Sequence, residues 1–154
     1  MQKSTEFNID LNGKNSDEMT AFHHACKKGN EDVVDMIVQK SKQFIIDLNA
    51  KNMYGQTAFH LSCFNGYFMI AEMLIQNSKE FHIDLNTKTN NGQKAFHLAC
   101  LRGEKSTVEM MINNANFFKI DLMIKDNDGK TGFQIALQIV TASLQSLAVL
   151  RVPL

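Results

Sequence analysis

The tetrapeptide Ile9-Asp10-Leu11-Asn12 returns as Ile46-Asp47-Leu48-Asn49 and Ile83-Asp84-Leu85-Asn86, and a fourth time as Ile120-Asp121-Leu122-Met123, each step being 37 residues. Phe22, Phe59, Phe96 and Phe133 keep the same step, as do Phe7, Phe44, Phe81 and Phe118. Cys26, Cys63 and Cys100 keep it, with Leu137 in the fourth place, and so do Gly29, Gly66 and Gly103, with Val140 in the fourth. A period of this length marks a tandem array of small supersecondary units, none of which can bury its apolar face alone.

One unit reads from 45 to 81. Ile46-Asp47-Leu48-Asn49 reads as an extended segment, and Met53-Tyr54-Gly55-Gln56 as a turn with its glycine. Thr57 is a cap for a short helix over 58–64, which Asn65-Gly66 ends. A second helix starts near Phe68, with Ile70, Met73 and Leu74 at helical spacing.

Gly55-Gln56-Thr57-Ala58-Phe59-His60-Leu61, then Gly66, then Glu72-Met73-Leu74-Ile75, then Asp84-Leu85-Asn86 resemble the ankyrin repeat. Ala58 and Phe59 stand where that family has Pro and Leu. The resemblance implies an all-α solenoid of about four stacked helix-turn-helix units in one domain over 1–154. It divides the chain into a partial unit 1–8, units 9–45, 46–82 and 83–119, and a degenerate unit 120–154. The family unit has about 33 residues. The four extra residues here are one helical turn, which predicts a longer second helix with Phe44, Phe81 and Phe118 packed under its end. Residues 2–7 match 39–44 in phase, so the chain reads as starting inside the last turn of a helix. Residues 144–154 read as an unusually apolar last helix stopping near Pro153, either part of a longer array or covered by a partner or a second copy.

The composition narrows function by exclusion. Sixteen basic residues balance sixteen acidic ones, leaving no basic field for nucleic acid or a membrane surface. His23, His60 and His97 share one repeat position, and in the resembled family that histidine ties turns by hydrogen bonds. Neighbouring units stack about 10 Å apart, too far for three equivalent histidines to share one zinc. His24 stands where the other units have Leu61 and Leu98. One cysteine per unit reads as a small buried hydrophobe, and the odd count without paired spacing suits a reducing compartment, the cytoplasm or nucleus. Met36, Met73 and Met110 share a position and read as core filler. No catalytic constellation occurs only once, so neither an enzyme nor a cofactor or metal site is expected.

In an array the scaffold recurs and the binding surface varies. Subtracting the repeat leaves candidate partner-binding residues on turn tips and inner helices: Lys27, Lys28, Asn52, Tyr54, Gln56, Phe64 and Asn65, then Asn91, Gln93, Lys94, Leu101, Arg102, Asp128 and Lys130. Tyr67 and Phe68, with Met69, are apolar where both neighbouring units are polar, a second candidate patch. Lys94 replaces the capping threonine of the other units, losing a cap or serving a partner's carboxylate. Glu18 replaces the turn glycine, predicting an altered first turn at about 1 kcal/mol if φ is positive. The resemblance implies a protein or peptide held on the concave face, without membrane insertion. Alternatives are a piece of a structural array at the cytoskeleton or a membrane, a competitive inhibitor similar to short NF-κB-inhibitor-like ankyrin proteins, and self-association through the apolar last unit. It also implies asparaginyl hydroxylation at Asn12, Asn49 or Asn86.

Overall fold

The structure, a computed structural model, describes residues 10–149, with side chains through residue 142. The in-phase segment at 2–7 and the side chains of the apolar tail from 144 lie outside the described residues. Seven helices follow in order: α1 (Ala21–Lys28), α2 (Glu31–Phe44), α3 (Ala58–Phe64), α4 (Phe68–Phe81), α5 (Ala95–Arg102), α6 (Lys105–Phe118) and α7 (Gly132–Val149). They form two rows. The first helices stack as α1–α3–α5–α7 and the second helices as α2–α4–α6, and α1, α3 and α5 each pack on their own second helix. Among the described residues the fold is all-α, as the repeat implies.

The short helices begin at Thr20, Thr57 and Lys94 because those residues are extended, with φ near −90° and ψ near 170°. They end where Gly29, Gly66 and Gly103 turn left-handed. Each second helix has 14 residues and ends at the repeated phenylalanine, the added turn predicted from the period. The core runs continuously through Phe22, Phe59 and Phe96, the three cysteines, and Val34, Val38, Ile70, Leu74 and Met111.

Four expectations change. The Ile-Asp-Leu-Asn segments are turns rather than strands, because each aspartate folds back to accept the N–H two residues on, as Asp47 Oδ1 does from Asn49 at 2.9 Å and Asp84 Oδ1 from Asn86 at 2.8 Å. The repeated methionine is buried at Met110 and half-buried at Met73, but Met36 is 57% exposed. That position faces the preceding unit's second helix, as Met110 does beside Phe68 and Glu72, and α2 has no such helix before it among the described residues. Phe44 is exposed for the same reason, whereas Phe81 and Phe118 pack against the core.

The first turn is not altered. Glu18 takes φ 57°, close to the 72–75° of Gly55, Gly92 and Gly129, and donates its N–H to Asn15 O at 2.9 Å as Gly55 does to Asn52 O. The repeat imposes the left-handed turn on a side chain that disfavours it.

The asparagine of each segment couples one unit to the next. Asn49 Nδ2 donates to His82 O and Asn49 Oδ1 accepts from Asp84 N–H, both at 2.8 Å. Asn12 makes the same pair with Ile45 O and Asp47 N–H, and Asn86 with Lys119 O and Asp121 N–H. The carbonyls so engaged belong to the left-handed C-caps of the second helices, Ile45, His82 and Lys119, which helical bonding leaves without a partner.

Candidate functional site

The turn tips and inner helices form one surface because the backbone links them in series. Met53 N–H donates to Asp17 O, Asn90 N–H to Tyr54 O and Asn127 N–H to Asn91 O, at 3.0–3.1 Å. In the turns one side chain gathers backbone amides: Asn52 Oδ1 accepts from Tyr54 and Gln56, Asp126 Oδ1 from Asp128 and Lys130, and Thr89 Oγ1 from Gln93 alone. The tips are therefore pre-ordered, which lowers the entropic cost of binding there.

The repeated histidine fixes the base of each turn. His23 Nδ1 lies 3.1 Å from Thr20 N, and since that nitrogen is an N–H donor, Nδ1 accepts. The proton then sits on Nε2, which donates to Gln56 O of the next unit at 3.1 Å. His97 does the same with Lys94 N and Lys130 O. His60 keeps the Thr57 half, but its Nε2 has no hydrogen-bond partner among the described residues. Burial lowers the His60 pKa to about 4, opposed by the nearby Gln93 carbonyl. Burial lowers that of His23 as well. Gln134, in the histidine's place, accepts from Thr131 N–H through Oε1 at 2.9 Å, so the fourth unit keeps the function with an amide. His24 is exposed, its Nε2 3.2 Å from Asn15 Nδ2.

The thiols are not poised for chemistry. Desolvation raises all three, Cys100 to about 11 and Cys26 and Cys63 further still.

The candidate binding residues separate into exposed and internal groups. Lys27, Lys28, Asn91, Leu101, Arg102 and Asp128 are exposed, and Tyr54 projects from its tip with 61% of its surface open. Phe64 is half-buried with the Arg102 guanidinium 5.0 Å from its ring centroid, joining α3 to α5 across the inner row. Gln93, Leu101, Asp128 and Lys130 come together around a groove of about 220 Å³, whose apolar wall is Ile135 and Ile139. The two isoleucines escaped repeat subtraction because they lie one turn of α7 apart inside the degenerate unit.

Others serve the scaffold. Asn52 is buried as the turn's acceptor, and Gln56 accepts from it through Oε1 at 3.1 Å. Asn65 Nδ2 caps α3 through Leu61 O at 2.7 Å. Lys94 is buried, its ammonium 3.2 Å from Asn86 Oδ1 and 3.4 Å from Asp121 Oδ2, so the carboxylate it serves is internal. Desolvation pushes the Asp121 carboxyl up, but the Met123 N–H and Lys94 outweigh it and hold its pKa below the usual range. Tyr67, Phe68 and Met69 are all exposed. Tyr67 lies on the bare Cα of Gly29, where an added Cβ would stand 2.7 Å from the ring. Phe68 instead borders a groove of about 400 Å³ with Glu72, Ser106 and Met110 on the second-helix side.

A family model described as ankyrin repeats (3 copies) matches residues 3–87, more than half of the chain. No curated protein matches it. No helix among the described residues is long and apolar enough to cross a membrane.

Proposed function

Since this chain belongs to the ankyrin-repeat family, whose repeats generally mediate protein–protein interaction, we propose that it is a non-catalytic module that grips a protein or peptide on the concave face of turn tips and inner helices. The observation that carries this reading is the convergence of Gln93, Leu101, Asp128 and Lys130, drawn from three repeat positions that differ between units, on one groove with Ile135 and Ile139. Tyr54 and the Phe64–Arg102 stack extend the surface toward the first unit, giving aromatic and arginine anchors of the kind that dominate interface energetics. Partner capture from the native host, repeated with Tyr54→Ala and Leu101→Ala, tests it. Both side chains are exposed, so both variants keep the fold, and each should lower retention of the same partner several-fold. Undiminished capture by both removes the concave face from the proposal.

A reducing compartment, cytoplasm or nucleus, fits three buried free thiols. A second reading is self-association through α7, favoured by the exposed stripe Phe133, Leu137 and Val140 at helical spacing. Sedimentation of the chain and of Leu137→Glu checks it: association that the charge abolishes supports the stripe, and a monomer at all concentrations sinks it.

A further inference from the structure

The added helical turn creates a second kind of surface. Where α2 and α4 end, the last turn and the start of the following Ile-Asp-Leu-Asn segment border a groove that also contains the next unit's phenylalanine. The first such groove measures about 310 Å³ and contains Lys42 and Phe81. The second, about 390 Å³, contains Lys79, Phe117, Phe118 and Lys119. In both a lysine lies on aromatic rings: Lys42 Nζ is 4.7 Å from the Phe81 centroid, and Lys79 Nζ is 3.9 Å from Phe117 and 5.4 Å from Phe118.

The two grooves differ in charge. In the first, Glu80 places a carboxylate oxygen 3.4 Å from Lys42 Nζ. One unit on, that position is Phe117, and Lys79 has no ion-pair partner among the described residues. Lys119, in the place of Ile45 and His82, adds a second ammonium with no ion pair among the described residues. The neighbouring Asp84 is occupied internally, accepting from Asn86 N–H and the Thr87 hydroxyl at 2.8 Å. Phe117 is 67% exposed beside the two cations.

We propose that this groove docks an acidic, apolar-flanked peptide segment of a protein partner, with a carboxylate on Lys79 and Lys119 and the adjacent apolar side chain on Phe117. The internal pattern for the contact is the Glu80 carboxylate on Lys42: the first groove supplies its own anion, and the second takes one from outside. A groove of this volume accepts a few side chains of an extended segment, not a folded face. The chain's zero net charge provides no long-range field for a phosphate polymer. The site lies at the ends of the second helices and is independent of the concave surface.

The test titrates the isotope-labelled full chain with a short acetylated peptide alternating glutamate and leucine. A lysine–leucine counterpart, inorganic phosphate and phosphatidylserine vesicles run in parallel. Amide shifts confined to residues 78–86 and 117–119 with the glutamate peptide alone, weakening with added salt, support the site. Phe117→Glu rebuilds the internal pair of the first groove, and Lys79→Glu reverses one charge. Each should weaken binding about tenfold, roughly one charge-assisted contact, with unchanged thermal melting. Equal response to the lysine peptide, to phosphate or to vesicles overturns the proposal, as do shifts elsewhere or full affinity in both variants. Tyr54→Ala and Leu101→Ala leave this binding intact, so it fails or stands apart from the concave-face reading.

Discussion

At the residue scale the most informative comparison is between His60 and Gln134, which perform one task with different side chains. Both accept from a backbone N–H three residues earlier, His60 from Thr57 and Gln134 from Thr131. Only the histidine titrates. Its pKa falls from 6.5 to about 4 on folding, so the unfolded chain binds the proton more tightly. The stabilising effect of keeping His60 neutral is complete above pH 6.5 and is lost as the pH falls toward 4, at up to about 3 kcal/mol over that window. His60→Gln should retain the cap and flatten that part of the profile, as urea unfolding at pH 7 and pH 4.5 would report. An unchanged slope would mean that His60 is protonated in the folded state. A second prediction concerns Ile45, a β-branched residue 83% exposed at φ 52°. Ile45→Gly relieves the left-handed strain without emptying any core space and should stabilise the fold by about 1 kcal/mol, read as a higher melting temperature.

At the element scale, helix packing decides which substitutions the array tolerates. Gly132 begins α7 where the other first helices begin with alanine, and an added Cβ there would stand 2.6 Å from Phe96 and 3.3 Å from Cys100 Sγ. Helix propensity favours Gly132→Ala by about 1 kcal/mol, but Phe96 is buried and cannot yield. The net should therefore be destabilising by about 1–2 kcal/mol, measured by denaturant unfolding; a stabilised variant would show that α5 and α7 separate freely. Period and capping pattern made the helix pairs and the added turn legible, since both are local and repeat. The exposure of Met36 and Phe44 was not legible, because identical repeat positions differ only in whether a preceding helix covers them. Lys94 misled for a related reason: its carboxylate, Asp121, lies 27 positions away and meets it only after unit four folds onto unit three. The Lys79 groove shows in the sequence only as Phe117 against Glu80, a difference at the helix ends rather than on the turn tips.

At the scale of the whole molecule, stability is the sum of units and of the contacts between neighbours. Asn49→Ala removes the hydrogen bond from Asp84 of the next unit and leaves the His82 carbonyl at the end of its own unit without its side-chain donor, a loss of about 1–3 kcal/mol. Its sharper signature is cooperativity: the wild type should exchange as a block, whereas in the variant hydrogen exchange in α1 and α2 should separate from that in α5 and α6. Uniform exchange in the variant would place the coupling in the apolar core instead. The asparagine bonds also have a direction. Each amide reaches forward, to the end of its own unit's second helix and to the aspartate that opens the unit after it, and the three links repeat the same pair of groups. Links of that kind are interchangeable: duplicating residues 46–82 in frame would give the new copy a donor behind and an acceptor ahead without redesign. A copy so inserted keeps the polarity of the array, because each link needs its asparagine behind and the aspartate of the next segment ahead.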